Sequence, residues 1–191
     1  MQDQSPEMSV RPPVALGCMS MVAVAVGIMA VLFFGIMWLE SGATPRAVLD
    51  DAESYGRGTY QFEGKHNLYI VRLLDGRFLA LSDLDATNRA NPGRNCRVAP
   101  IPLDDPALPG ILSKYAGQFS PEAMGSTLVF RETCHGALYD MAGVRLDNTE
   151  ALNLDRHDVD INGQGKLTVN TAVRICTKRN GADVAETVPC S

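Results

Sequence analysis

An uncharged apolar stretch constrains this chain more than any other feature. Residues 14–39 contain no Asp, Glu, Lys or Arg. A helix rises about 1.5 Å per residue, so about 20 residues cross a hydrocarbon core roughly 30 Å thick. Trp38, near the end of the stretch, suits a membrane interface. We therefore predict a single transmembrane helix over residues 14–39, preceded by a tail over residues 1–13 and followed by a linker over residues 40–60.

A cleaved signal peptide is the alternative explanation of the same stretch. Ser41-Gly42-Ala43 has the small-x-small pattern of a cleavage site. However, the apolar stretch is longer than the roughly 7–15 residues of a signal peptide core, and the only basic residue before it is Arg11. A retained membrane anchor is therefore the preferred interpretation.

The composition of the chain favours a β domain after the anchor. The sequence has 11 Pro and 17 Gly, and stretches with helical periodicity are few after residue 50. A length of 191 residues allows one core of ordinary size plus an appendage. The net charge of −5 and the lack of a basic run argue against nucleic-acid binding.

Strand and turn signals recur through this part of the chain. Asp75-Gly76 and Asn162-Gly163 are typical of tight β-hairpins, and β-rich segments flank both of them. The predicted strands cover residues 67–73, 77–82, 126–131, 157–161 and 166–169. Short helical turns are predicted at residues 45–51 and 111–116.

The cysteines indicate an oxidising compartment. Cys18 lies in the apolar stretch, whereas Cys96, Cys134, Cys176 and Cys190 form an even set in the polar part. Such a set is typical of disulfide-bonded proteins outside the cytoplasm. Four cysteines permit three pairings, so the count alone does not decide the connectivity.

One segment carries a family resemblance. Residues 130–144 place a Cys-His-Gly turn between an apolar strand and a Tyr-Asp-x-x-Gly hairpin. This segment resembles the second cluster-binding loop of the Rieske iron–sulfur family, which reads Cys-Pro-x-His-Gly or Cys-Pro-Cys-His-Gly before an aromatic residue, Asp, two residues and Gly. The resemblance covers residues 67–169. It implies an all-β Rieske-like domain of stacked antiparallel sheets, placed at residues 61–170, with a C-terminal extension at 171–191.

The resemblance also assigns the cluster-ligand positions. The two cysteine positions are occupied by Ala86 and Glu132, and the two histidine positions by Asn88 and His135. If Cys96 is instead taken as the first ligand, Val98 falls at the histidine position, so the motif is incomplete in either alignment.

The same resemblance implies the disulfides. In the disulfide-bearing Rieske subtype each cluster loop carries one additional cysteine, and Cys96 and Cys134 stand at those positions. A Cys96–Cys134 bridge is therefore implied. Cys176 and Cys190 lie outside the family core and are expected to pair with each other, closing a loop of about 15 residues worth about 3 kcal/mol.

The ligand positions argue against a cluster. A Rieske [2Fe–2S] centre needs two thiolates and two imidazoles, so we expect no such cluster and no other cofactor. Glu132 and His135, with Asp83, Asp85 and Asn88 nearby, could bind a divalent ion. We favour a different interpretation, in which Glu132 faces solvent and His135 hydrogen-bonds a backbone carbonyl, and we assign no metal site.

Catalytic motifs are also lacking. The sequence shows no nucleophile–base–orienter set and no Gly-rich phosphate loop. A redox-active Cys96–Cys134 pair would lack the close Cys-x-x-Cys spacing that lowers a thiol pKa. We therefore predict no catalytic residues and no enzymatic activity.

A single anchor with an external Rieske-like domain resembles the Rieske subunit of quinol-oxidising complexes. The expected function is a non-catalytic, cluster-less accessory subunit of a bacterial inner-membrane energy-conversion complex, photosynthetic or respiratory. Its partners would be the other subunits and membrane lipids, and such a subunit could also help to dock a periplasmic electron carrier. The disulfides would place the C-terminal domain in the periplasm. The alternatives are a metal-binding or redox-active Rieske-type electron-transfer protein and an independent membrane-anchored periplasmic binding module that uses residues 90–121.

Overall fold

The computed structural model describes residues 24–36, 45–90, 93, 95–180 and 184–190. The chain divides into two units, Met1–Thr44 and Pro45–Ser191. In the first unit, residues 24–36 form helix α1, whose apolar side chains are exposed. Within these described ranges, no helix has both the length and the apolar character needed to cross a membrane. The remainder of the predicted helix over 14–39 and the tail over 1–13 lie outside the described residues.

The second unit consists mainly of short β-strands. Its strands are β1 (Arg46–Asp51), β2 (Thr59–Glu63), β3 (Leu68–Arg72), β4 (Phe78–Ser82), β5 (Val98–Pro100), β6 (Val129–Glu132), β7 (Leu138–Asp140), β8 (Arg156–Ile161), β9 (Lys166–Asn180) and β10 (Val184–Val188). Its helices are α2 (Ala86–Ala90) and α3 (Leu108–Lys114), with 3-10 turns at Ala52–Ser54, Ala116–Gln118 and Pro121–Ala123.

The strands form two antiparallel sheets. The larger sheet has the order β1-β9-β8-β4-β3-β2, with β10 paired to β9, and the smaller sheet has the order β5-β6-β7. Neighbouring strands are antiparallel in both sheets. This confirms the prediction of a mostly β domain built from antiparallel sheets.

Strand β3 shows how the sequence separates the core into two layers. Because successive side chains of a strand point to opposite faces, Tyr69 and Val71 pack on one face with residues of the small sheet. Leu68 and Ile70 pack on the other face with residues of β9. The apolar run of β3 is therefore buried on both sides, and the small sheet covers only one of them.

The long connection between β5 and β6 is packed rather than loose. Helix α3 buries Leu108 in a third cluster, together with Ile101, Val129 and Leu138. The helix that the sequence predicts over residues 111–116 is observed at Leu108–Lys114, so it begins three residues earlier and ends two residues earlier than predicted. This packing fixes the connection against the small sheet, which also carries the candidate site.

Strands of the larger sheet extend across two of the predicted domain boundaries. The linker predicted over 40–60 contains β1 and the start of β2, and the helical turn predicted at 45–51 is strand β1, in which Ala47 lies opposite Val169. The C-terminal extension predicted at 171–191 includes most of β9, which runs unbroken from Lys166 to Asn180. Pairing with distant strands supplies backbone hydrogen bonds to these segments, and local sequence does not encode that pairing.

Candidate functional site

Two loops meet at the edge of the small sheet. The first loop connects β4 to β5 and is described at residues 83–90, 93 and 95–97; the second loop connects β6 to β7 at residues 133–137. The Thr133 N–H donates to the Arg97 carbonyl at 2.9 Å, and the Arg97 N–H donates to Thr133 Oγ1 at 3.1 Å. Antiparallel pairing of Val98 with Glu132 fixes this register.

A disulfide closes the contact between the loops. Cys96 and Cys134 are bonded, with their Cα atoms 5.6 Å apart. Cys96 is buried, whereas Cys134 lies on the exposed second loop. The second predicted bridge is also present, since Cys176 and Cys190 are bonded with a Cα separation of 5.3 Å.

The carboxylate of Glu132 is the centre of the site. Its Oε1 accepts the Cys134 N–H at 2.8 Å and its Oε2 accepts the His135 N–H at 2.5 Å. The side-chain amide of Asn88 donates to Oε1 at 3.2 Å. His135 Nδ1 lies 3.3 Å from Oε2. The acid therefore accepts the inward-facing donors of the turn and links the second loop to the first.

These contacts determine the charge of Glu132. Burial alone would raise the pKa of Glu132, but the N–H groups of Cys134 and His135, the charge of His135 and the Asn88 amide outweigh it and hold that pKa below its usual value. A carboxylate stabilised in this way stays ionised at neutral pH.

The predicted environments of two residues are wrong. Glu132 does not face solvent; it is 1% exposed. The Nδ1 of His135 faces the Glu132 carboxylate instead of a backbone carbonyl. The physical reason is that the N–H groups of a tight turn converge on one point, and buried donors there need an acceptor.

The first loop brings Asn88 to this acid through a short helix. Asp85 Oδ1 accepts the Asn88 N–H at 2.8 Å, which stabilises the start of α2. Asn88 is 1% exposed, while Ala86 is half-buried at the first residue of α2. Three of the four predicted cluster-ligand positions are in contact, because Asn88 and His135 both hydrogen-bond to the carboxylate of Glu132.

Two acids expected near the site are engaged elsewhere. Arg97 donates from Nη1 to both carboxylate oxygens of Asp83, at 2.8 and 2.7 Å. Burial raises the pKa of Asp83, and Arg97 opposes that shift. Asp85 Oδ2 accepts the Tyr139 hydroxyl at 3.2 Å. Both acids therefore stabilise the first loop through other partners.

One metal-like arrangement exists among the described residues. A sulfur of Cys96, a carboxylate oxygen of Glu132 and a sulfur of Cys134 all lie within 4.8 Å of one another. Both sulfurs are consumed by the disulfide. In this oxidised form the group therefore offers only the carboxylate as an ordinary ligand.

The hairpin that follows the second loop is fixed by a buried acid. Asp140 Oδ1 accepts the N–H groups of Ala142 and Val144, each at 2.9 Å, and its Oδ2 accepts the Ser120 N–H at 2.9 Å. Burial raises the pKa of Asp140. Gly143 adopts φ 78°, as the Tyr-Asp-x-x-Gly pattern requires. The hairpin holds β7 against β6 and so supports the second loop.

Sequence reasoning missed a surface groove. A cavity of about 390 Å³ lies beside edge strand β2. Its lining includes Tyr60, Leu74 and Leu103, which are 42%, 44% and 77% exposed. The apolar residues of the Thr-Tyr-Gln-Phe strand were the available signal, but the sequence did not show which of them would stay uncovered.

No protein family, no curated protein and no solved structure matches this chain. The resemblance to the Rieske family therefore depends on the residues of the two loops, and the function must be inferred from the site itself.

Proposed function

We propose that this chain is a cluster-less, Rieske-like accessory subunit of a bacterial inner-membrane energy-conversion complex, photosynthetic or respiratory. In this proposal residues 14–39 anchor the chain and the β unit lies in the periplasm. The observation that carries the proposal is the buried Glu132 carboxylate, which occupies a cluster-ligand position and is hydrogen-bonded to both loops. The disulfide between Cys96 and Cys134 supports it by fixing those loops together.

The chemistry of the donor set supports a scaffold role over electron transfer. A Rieske centre needs two thiolates and two imidazoles. Here the four corresponding positions are held by Ala86, Asn88, Glu132 and His135, so they supply one imidazole and no thiolate. The loops are therefore held by hydrogen bonds and a disulfide in the region where the family uses iron.

The groove supports contact with a neighbouring protein. Its exposed apolar side chains include an aromatic ring, and aromatic residues are enriched in protein interfaces. Among the described strands, only β3 pairs with the adjacent strand β2, which leaves the outer backbone groups of β2 available to a partner. We place the contact with a neighbouring subunit here, and assign the docking of a periplasmic electron carrier to the assembled complex.

Native purification tests this proposal. The full chain should migrate in mild detergent with a large membrane complex at fixed stoichiometry. Leu74→Glu should weaken this association at least tenfold, because it places a charge on the groove. Val173→Glu is the matched control, since Val173 on β9 is 46% exposed but lies outside the groove lining. A natural chain that migrates as a free monomer would contradict a subunit role and favour the binding module.

Metal analysis separates the proposal from the redox alternative. The purified oxidised chain should contain no stoichiometric iron or acid-labile sulfide. An EPR signal typical of a histidine-ligated [2Fe–2S] centre would overturn the cluster-less assignment.

A further inference from the structure

We propose that reduction of the Cys96–Cys134 disulfide converts the two-loop junction into a binding site for one thiophilic divalent cation such as Zn²⁺. The site would use both thiolates and the Glu132 carboxylate, with His135 as the fourth ligand. It differs from a Rieske site, because its sulfurs come from the two disulfide cysteines. It goes beyond the proposed function, which concerns the oxidised chain.

The spacing of the three nearest ligands carries this inference. The donor atoms of Cys96, Glu132 and Cys134 already lie within 4.8 Å of one another. In a tetrahedral site with Zn–S bonds of about 2.3 Å, two sulfurs lie about 3.8 Å apart. Opening the disulfide to that separation therefore needs only side-chain rotation, since the Cα atoms are 5.6 Å apart.

His135 supplies the fourth position. Two ligands at about 2.0–2.1 Å from a tetrahedral ion lie about 3.3 Å apart. The distance from His135 Nδ1 to Glu132 Oε2 is 3.3 Å. The histidine side chain is 53% exposed, and its ring would have to turn toward the sulfurs to complete the site.

A second feature independently points to a ligand. Asn88 is 1% exposed and donates its amide to Glu132, but its Oδ1 has no hydrogen-bond partner within the described part of the chain. A buried amide oxygen without a donor is costly. A bound cation, or a water held by it, would satisfy this atom.

The disulfide is accessible from one side. Cys134 lies on the exposed second loop, whereas Cys96 is buried. A small dithiol would attack the Cys134 sulfur and release the Cys96 thiolate; its second thiol would then displace Cys134, leaving a cyclic disulfide and two reduced cysteines. Binding of one divalent ion would form two metal–sulfur bonds and release the two thiol protons, together with the proton of the His135 ring where that ring is charged before it ligates the ion.

Cobalt binding tests the proposal on the full chain. The oxidised chain should bind no stoichiometric Co²⁺. After reduction, one Co²⁺ per chain should bind and show thiolate charge-transfer and tetrahedral d–d absorption. Glu132→Gln should weaken binding at least tenfold, and Cys96→Ser should remove the charge-transfer intensity of one thiolate. Glu122→Gln is the matched control, because Glu122 pairs with Arg77 and Arg156.

Thermal unfolding provides a second readout that does not depend on these variants. Zn²⁺ should raise the melting temperature of the reduced natural chain in a concentration-dependent way, and leave that of the oxidised chain unchanged. Equal binding by both forms would overturn the proposal. So would a Glu132→Gln variant that binds as tightly as the natural chain, or a reduced chain that neither binds Co²⁺ nor gains stability from Zn²⁺.

Discussion

At Gly143 two separate constraints act on a single residue. Its φ is 78°, and a Cβ built there would lie 3.1 Å from Leu81 Cδ2 and 3.2 Å from Leu154 Cβ. We expect Gly143→Ala to lower the free energy of unfolding by about 2–4 kcal/mol, because left-handed strain adds to crowding. Urea unfolding would measure this loss.

A second glycine separates these two contributions. Gly165 has the same φ of 78°, but no atom of the described residues lies within 4 Å of a Cβ placed there. Gly165→Ala should therefore cost only about 1–2 kcal/mol, the strain alone. An equal loss of unfolding free energy in both variants would mean that the side chains around Gly143 rearrange without an energetic penalty, so that crowding makes no contribution.

We expect Asp147 to contribute to the free energy of unfolding in a way that depends on pH. Burial would raise its pKa, but hydrogen bonds from Arg145 and the Leu138 N–H hold the pKa of Asp147 below its usual value. A carboxyl group whose pKa is lower in the folded chain than in the unfolded chain stabilises the fold above its unfolded pKa, which is about 4. That contribution is lost as the pH falls through the pKa of the folded state. Asp147→Asn should therefore cost about 1–3 kcal/mol at pH 7.

The same substitution should cost less in acid, because the natural chain loses the contribution of the carboxylate as the pH falls through the folded pKa of Asp147. Urea unfolding at pH 7 and near pH 2 would compare the two conditions. Asp104→Asn is the control, because Asp104 is exposed and such a surface change is expected to stay within about 0.5 kcal/mol. A loss that is the same at both pH values would mean that shape, not charge, matters at Asp147.

Individual residues also show where sequence reasoning stops. The Cys96–Cys134 bridge was implied by the resemblance of the two loops to the disulfide-bearing Rieske subtype, and the structure contains it. The burial of Glu132 did not follow, because it depends on N–H directions in the second loop and on Asn88, which is 44 positions away along the chain. Local patterns do not encode such convergence.

At the scale of elements, the second disulfide holds the last strand in place. Cys176 of β9 lies opposite Val188 of β10 and is bonded to Cys190. Replacing both cysteines by Ala should cost about 3 kcal/mol on the chain-entropy model, because the bridge closes a short loop. Amide exchange in Val184–Val188 should accelerate, since β9 is the one described strand that pairs with β10.

Strand β3 provides the internal comparison for this variant. It is paired on both sides, with β2 and β4, so its amides should keep their protection if unfolding remains local. Cys18→Ala is the matched substitution outside the bridge. Unchanged exchange in β10 would show that strand pairing alone holds this segment.

The elements predicted best are those with local signals. Asp75-Gly76 and Asn162-Gly163 located two hairpins, and strands β3, β4 and β8 lie within one residue of their predicted bounds. Strand β1 was predicted as a helical turn because it has no strong alternation. Its partner β9 lies more than a hundred residues away, so tertiary pairing decided its structure.

At the scale of the whole molecule, the proposed membrane orientation makes a topological prediction. The four lysines of the chain are Lys65, Lys114, Lys166 and Lys178, all within the β unit. The first three are exposed. If the β unit lies in the periplasm, a membrane-impermeant amine reagent should label these lysines in intact spheroplasts. Peptide mass spectrometry would locate the labels, and a cytoplasmic protein should react only after lysis.

A single added lysine tests the other side of the membrane. The first 13 residues contain no lysine, so Gln4→Lys introduces a side-chain amine there. If residues 14–39 cross the membrane once, the two ends of the chain lie on opposite sides of it. The β unit should then be labelled in intact spheroplasts, and the amine introduced at position 4 should be labelled only after lysis. Labelling of both ends in intact spheroplasts would contradict a single crossing. Labelling of the β unit only after lysis would place its disulfides in a reducing compartment, where they are not expected to persist.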